Sequence, residues 1–178
     1  MSISPPFSVL GLDPGSRVTG YGVIRVTAQF KPEYVECGVL KSKAGDSMET
    51  RILEIATGVR EVVEEFRPES VSMEGVFVQR NVQSALKLGQ IRGALLLVVA
   101  EAGLQVYSYP PATVKKTVTG RGRASKEQLG RMIQTLLGLA RTPAQDASDA
   151  LAIALCHARH WRRDGFGGAP VGLRRPPR

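Results

Sequence analysis

The spacing of apolar and polar positions changes period several times along the chain, and each change marks an element. Residues 7–13, "FSVLGLD", form an apolar run that reads as a buried strand. Residues 19–27 alternate, with several glycines, and read as a second strand reached through Pro14, Gly15 and Ser16. "EYVECGVLK", 33–41, gives a third, and three strands with short connections predict an antiparallel meander. The period then turns helical. Met48, Ile52, Ile55, Val59, Val62 and Phe66 share one face, and Arg67-Pro68 ends that helix. "SVSME", 70–74, predicts a short strand, 84–102 a long and largely apolar helix, and "QVYSYP", 105–110, a fifth strand. Helical patterns follow over 111–118 and 125–138, and a last one runs from Pro143, a favoured first helical residue, to about Arg163. Strands first, then helices and strands in alternation, predict an α/β architecture around a mixed five-stranded sheet.

Composition refines this outline. The chain has 178 residues, 43% of them hydrophobic, which suits one domain over 7–163. From 164 to 178 it is rich in Gly, Pro and Arg without any period, and a disordered basic tail is expected. The net charge of +8 fits either a polyanionic partner or simply a solvated basic surface. Two cysteines, Cys37 and Cys156, form no framework of bridges and suit a reducing compartment. No basic segment followed by an apolar one opens the chain. The longest apolar run, Gly93 to Ala100, is far short of the ~20 residues that span a bilayer. A soluble, cytoplasmic protein with no membrane role is expected.

The chemistry sits where apolar elements begin or end. Asp13 ends the first strand, although Asp is depleted in strands because its side chain competes for the backbone. Glu74 ends the fourth. Asp146 and Asp149 stand near the start of the last helix, three residues apart and so on one face. If the first and fourth strands are neighbours, Asp13 and Glu74 meet at one edge, and the helix can carry its acid pair there. Carboxylates crowded together raise each other's pKa unless a cation separates them. All-oxygen ligation selects Mg²⁺ or Mn²⁺ over zinc. Two such ions, ~3.5–4 Å apart, suit in-line displacement at a phosphodiester. Taken singly, each acid has a plain structural use: a helix-dipole partner for Asp146, turn chemistry for Asp13. The joint pattern points to a metal site.

With these residues in view, the chain closely resembles the RuvC family of Holliday-junction resolvases. The matching segments are "GLDPGSRVTGYGVI" (11–24), "MEGVF" (73–77), "NVQSALKLGQIRG" (81–93), "VKKTVTGRGRASKEQ" (114–128) and "DASDALAIALCH" (146–157), in the family's order. The resemblance implies a ribonuclease-H-like fold, a mixed five-stranded sheet flanked by helices on both faces. It implies a homodimer that nicks four-way DNA junctions symmetrically, using Mg²⁺, during recombination and repair, alongside the RuvA and RuvB branch-migration proteins. Asp13, Glu74, Asp146 and Asp149 fall on the family's catalytic, metal-holding acids. Some members carry His in place of Asp146, and Gln is frequent where Gly75 stands.

Other residues have two readings each. Phe77, in "VFVQRN", either stacks on an unpaired base at the crossover, worth about 1–3 kcal/mol, or folds onto the core beside Val76 and Val78. Arg80, Lys115, Arg121 and Lys126 supply positive charge for DNA, with Lys115 and Lys126 at basic positions that the family uses; Lys116 and Arg123 are equally well solvated bystanders. Gly89 and Gly93, one helical turn apart, permit close approach inside the fold or, as the resemblance implies, between subunits. Cys156, His157 and His160 read as a packed helix end rather than a zinc site. Three other function classes compete: an actin-like phosphate loop, a RuvC-like nuclease acting on structured ribosomal RNA, and a non-catalytic junction-binding protein.

Overall fold

The computed structural model describes residues 5–75 and 82–164, the side chains of 162–164 aside. Three strands open it: β1 (Phe7–Asp13), β2 (Val18–Val26) and β3 (Pro32–Lys41). Helix α1 (Met48–Phe66), strand β4 (Ser70–Glu74), helix α2 (Val82–Glu101) and strand β5 (Val106–Tyr109) follow. Helices α3 (Pro111–Thr119), α4 (Lys126–Leu137) and α5 (Gln145–Asp164) complete it. The sheet order is β3-β2-β1-β4-β5. Its first three strands are antiparallel, whereas β1, β4 and β5 run parallel, so the sheet is mixed as expected.

Alternation along the strands divides the core. Leu10, Leu12, Val23, Val71 and Met73 pack with α1 and α2 on one face. Phe7, Val9, Ile24, Val26, Tyr107 and Tyr109 pack with α3, α4 and α5 on the other. α2 is long and apolar enough to cross a membrane by length and composition. Its Ile91, Leu95, Val98 and Val99 instead enter the core, while Val82, Leu86 and Leu97 lie exposed.

Local chemistry sets the helix ends. Ser47 accepts from the Thr50 amide at the start of α1, and Arg67 adopts the left-handed conformation at its end, just before Pro68. α5 begins at Gln145, two residues later than the expected Pro143. The Ser148 hydroxyl donates to the Pro143 carbonyl and its amide to the Ala144 carbonyl, so these residues form the lead-in turn instead of the first helical one. At the far end of α5, His157 is buried, with Nδ1 against the Tyr109 hydroxyl at 2.8 Å and Nε2 against Ser70 Oγ at 3.2 Å. That is the packed helix end the sequence suggested. Residues 165–178, nearly all of the expected tail, lie outside the described residues, as do Phe77 and Arg80.

Candidate active site

Two strand ends build the floor of the site. β1 and β4 are parallel neighbours, with Leu12 opposite Met73 in register. Asp13 and Glu74 therefore emerge side by side at the carboxyl edge of the sheet, where α/β folds bind their ligands. Side-chain parity puts them on one face: Leu12 and Met73 point to α1 and α2, so the acids that follow point to α5.

α5 reaches that edge because glycines let it. A Cβ on Gly20 would lie 2.0 Å from the Asp146 carbonyl oxygen, and one on Gly11 would lie 2.1 Å from that of Ala150. Gly20 also pairs with Asp13 in the β1–β2 ladder. The first turns of α5 thus rest backbone-to-backbone on the sheet, and Asp146 and Asp149 descend onto the strand ends. Ala147, Ala150 and Leu151 are buried beneath them.

The electrostatics record the crowding. Burial, then the charges of Asp149, Glu74 and Asp146, push the Asp13 carboxyl up to about 7, against the pull of Lys126. Glu74 is raised by burial and then by Asp149, opposed by Lys115, Lys126 and Arg92. Asp149 is raised by burial, with Lys126 the main opposing charge. Lys126 Nζ lies 3.6 Å from Asp149 Oδ2. It is the first residue of α4, presented there by a capping box between Ser125 and Gln128. Among the described residues, no three His, Cys, Asp or Glu side chains stand already grouped for one ion, so ligation requires these side chains to turn inward.

The structure thus brings Asp13, Glu74, Asp146 and Asp149 together, with Lys115 and Lys126 beside them. Arg121 is set apart, lining a groove between α3 and α4 with Gln128 and Arg131. Sequence reasoning passed over Arg92. Its guanidinium donates to the Glu74 carbonyl and to Ser108 Oγ, each at 2.6 Å. The available signal was a lone cation next to Ile91 on an apolar helix.

Comparison with known proteins decides what such a site belongs to. The family model "Crossover junction endodeoxyribonuclease RuvC" matches residues 9–157, which take in both strand-end acids and the pair on α5. The chain belongs to the RuvC family. A RuvC from Stutzerimonas stutzeri is 49% identical over 152 residues, covering 85% of this chain and 86% of the relative. One from Magnetococcus marinus is 42% identical over 177 residues, covering 98% of each. The solved Thermus thermophilus RuvC in complex with a Holliday junction substrate has a TM-score of 0.84 at 37% identity, covering 93% of this chain and 99% of that one. The yeast mitochondrial Holliday junction resolvase Ydc2, with a TM-score of 0.64 at 15% identity, shares the fold. RuvC membership makes the chain a crossover junction endodeoxyribonuclease and disfavours the RNA-processing and non-catalytic readings.

Proposed function

We propose that Asp13, Glu74, Asp146 and Asp149 are the carboxylates with which this chain hydrolyses phosphodiesters at four-way DNA junctions, in paired symmetric nicks. The observation that carries this reading is the meeting at one sheet edge of four carboxylates from distant parts of the chain. The β1–β4 pairing and the seated α5 set them there, crowded enough to push the Asp13 carboxyl up to about 7. Such crowding is costly in a metal-free protein and is relieved by a cation. RuvC nucleases depend on a divalent metal, and the donor set here fits one. Four carboxylates without thiolate or imidazole select Mg²⁺, with Mn²⁺ as its substitute.

Asp13 and Glu74 would hold the metal from the sheet edge and Asp149 from α5, with Asp146 completing the set. Two ions per site are proposed; when bound, they lower the pKa of the attacking water and stabilise the leaving oxygen. The protein's own part is placement. The strand ends fix two acids, the glycine floor fixes the other two, and Lys126 holds Asp149 in the metal-free state. In this reading Lys115 and Lys126 receive DNA phosphates and Arg121 adds positive charge along the groove it lines; Arg80 and Phe77, the other expected DNA contacts, lie outside the described residues.

Paired nicks need two sites, and α2 supplies a way to join them. Val82, Leu86 and Leu97 are exposed on it, and a Cβ on Gly89 or Gly93 would meet nothing within 4 Å. These positions recur at helical spacing along one face. We propose that this face joins two copies into a homodimer. Work in the cytoplasm alongside the RuvA and RuvB branch-migration proteins, with residues 7–163 acting as one nuclease domain, belongs to the same reading.

Incubation with a synthetic four-way junction, a plain duplex and single-stranded RNA, with and without Mg²⁺, tests it. Symmetric nicks in the junction alone, and only with metal, are expected. Metal-free scission, or cutting of the RNA, would contradict it.

A further inference from the structure

We propose that Arg92 is a positioning residue for Glu74, acting from the opposite face of the sheet. Arg92 lies on α2 at 9% exposure, beside fully buried Ile91 and Leu95. A guanidinium in such a place is costly unless its donors are satisfied. Nη1 donates to the Glu74 carbonyl and Nη2 to Ser108 Oγ, each at 2.6 Å.

Both acceptors belong to the ends of neighbouring strands. Glu74 is the last residue of β4, paired with Tyr109 of β5, and the Gly75 amide donates to the Tyr109 carbonyl at 2.8 Å. Tyr107 and Tyr109 pack toward α5, so Ser108 between them faces α2. Glu74 faces α5 with its side chain, yet its carbonyl is gripped from the α2 side. One planar fork therefore ties two strand ends together behind the site and fixes the backbone from which the Glu74 carboxylate projects. A lysine would keep the charge but could not reproduce the rigid two-pronged geometry. Groups that hold a ligand's support in place are worth about 10–100-fold in metal affinity.

The inference rests on Glu74 being a metal ligand, and the test separates the two. Mn²⁺ binding by the full-length chain would be followed by the paramagnetic resonance of the free ion, alongside metal-free junction binding and melting temperature. Arg92→Lys and Arg92→Gln are both expected to weaken Mn²⁺ binding by about 10–100-fold. Ser108→Ala, a gentler probe that removes one acceptor, is expected to weaken it by less. Junction binding without metal should stay unchanged in all three. Folded Arg92→Lys and Ser108→Ala proteins that bind Mn²⁺ like the wild type would overturn the inference, whatever their melting temperatures, since packing alone would then explain the residue. So would a defect confined to Arg92→Gln, which would make charge, not geometry, the cause. Glu74→Gln with unaltered Mn²⁺ binding would instead overturn the carboxylate reading itself.

Discussion

Two pairs of glycines serve opposite ends in this molecule. At Gly11 and Gly20 an added Cβ would sit 2.1 and 2.0 Å from backbone oxygens of α5. At Gly89 and Gly93 it would meet nothing within 4 Å. The first pair has no room because a helix has been lowered onto the sheet until its acids reach the strand ends. The second pair has nothing but room, on a helix whose exposed Val82, Leu86 and Leu97 leave an apolar strip uncovered. One pair builds the site inside a single chain. The other lies on the uncovered strip proposed to join two copies.

Adding bulk to each pair should separate these roles. Gly11→Ala would force α5 off the sheet and is expected to cost about 1–3 kcal/mol, read as a lower denaturation midpoint. A shift of about 1 Å in the acids should lower junction cleavage about a hundredfold. Unchanged cleavage would mean that the seating of α5 does not place the acids. Leu86→Glu should do the reverse. At an exposed position its effect on the single chain should stay within about 0.5 kcal/mol, while sedimentation should shift from dimer to monomer. A dimer that persists would move the interface away from α2. Gly93→Ala should leave the fold intact and, in a dissociated chain, stabilise it by about 1 kcal/mol, as alanine does for an exposed helical glycine.

The acids also make metal-free stability depend on pH. Asp13 titrates at about 7 in the folded protein against an ordinary value of 3.8. The folded state thus holds the proton more tightly than the unfolded state, and stability falls as pH rises from about 4 to about 7. Asp13→Asn removes that slope. Without metal, this variant should melt a few degrees above the wild type at pH 8, with the difference shrinking as pH falls and vanishing only near pH 4. At limiting Mg²⁺ the same proton competes with the ion, so wild-type cleavage should fall as pH drops through 7.

Much of this was legible in the sequence because element ends carry strong chemistry. Asp13 and Glu74 stand out as acids closing apolar strands, and Arg67-Pro68 and Ser125 punctuate helices where the structure ends and begins them. What was not legible depends on which side of an element a residue takes. Gly11 and Gly20 carry no such signal in the sequence, and only the seated helix shows them as a floor. Gly89 and Gly93 fit internal packing equally well until α2 is seen to turn them outward. Arg92 was passed over, since periodicity on an apolar helix does not say which face meets the sheet. Likewise the basic residues around α3 and α4 differ in reach: Lys126 touches Asp149, whereas Arg121 lines a separate groove, a difference of tertiary placement that charge counting does not carry.

The carboxylate cluster is tested most directly by Asp13→Asn on a synthetic four-way junction with saturating Mg²⁺. Strand scission should vanish while the gel shift of the junction stays near that of the wild type. Scission that survives at the wild-type rate would show that this acid, and the metal grip built around it, plays no part in the reaction.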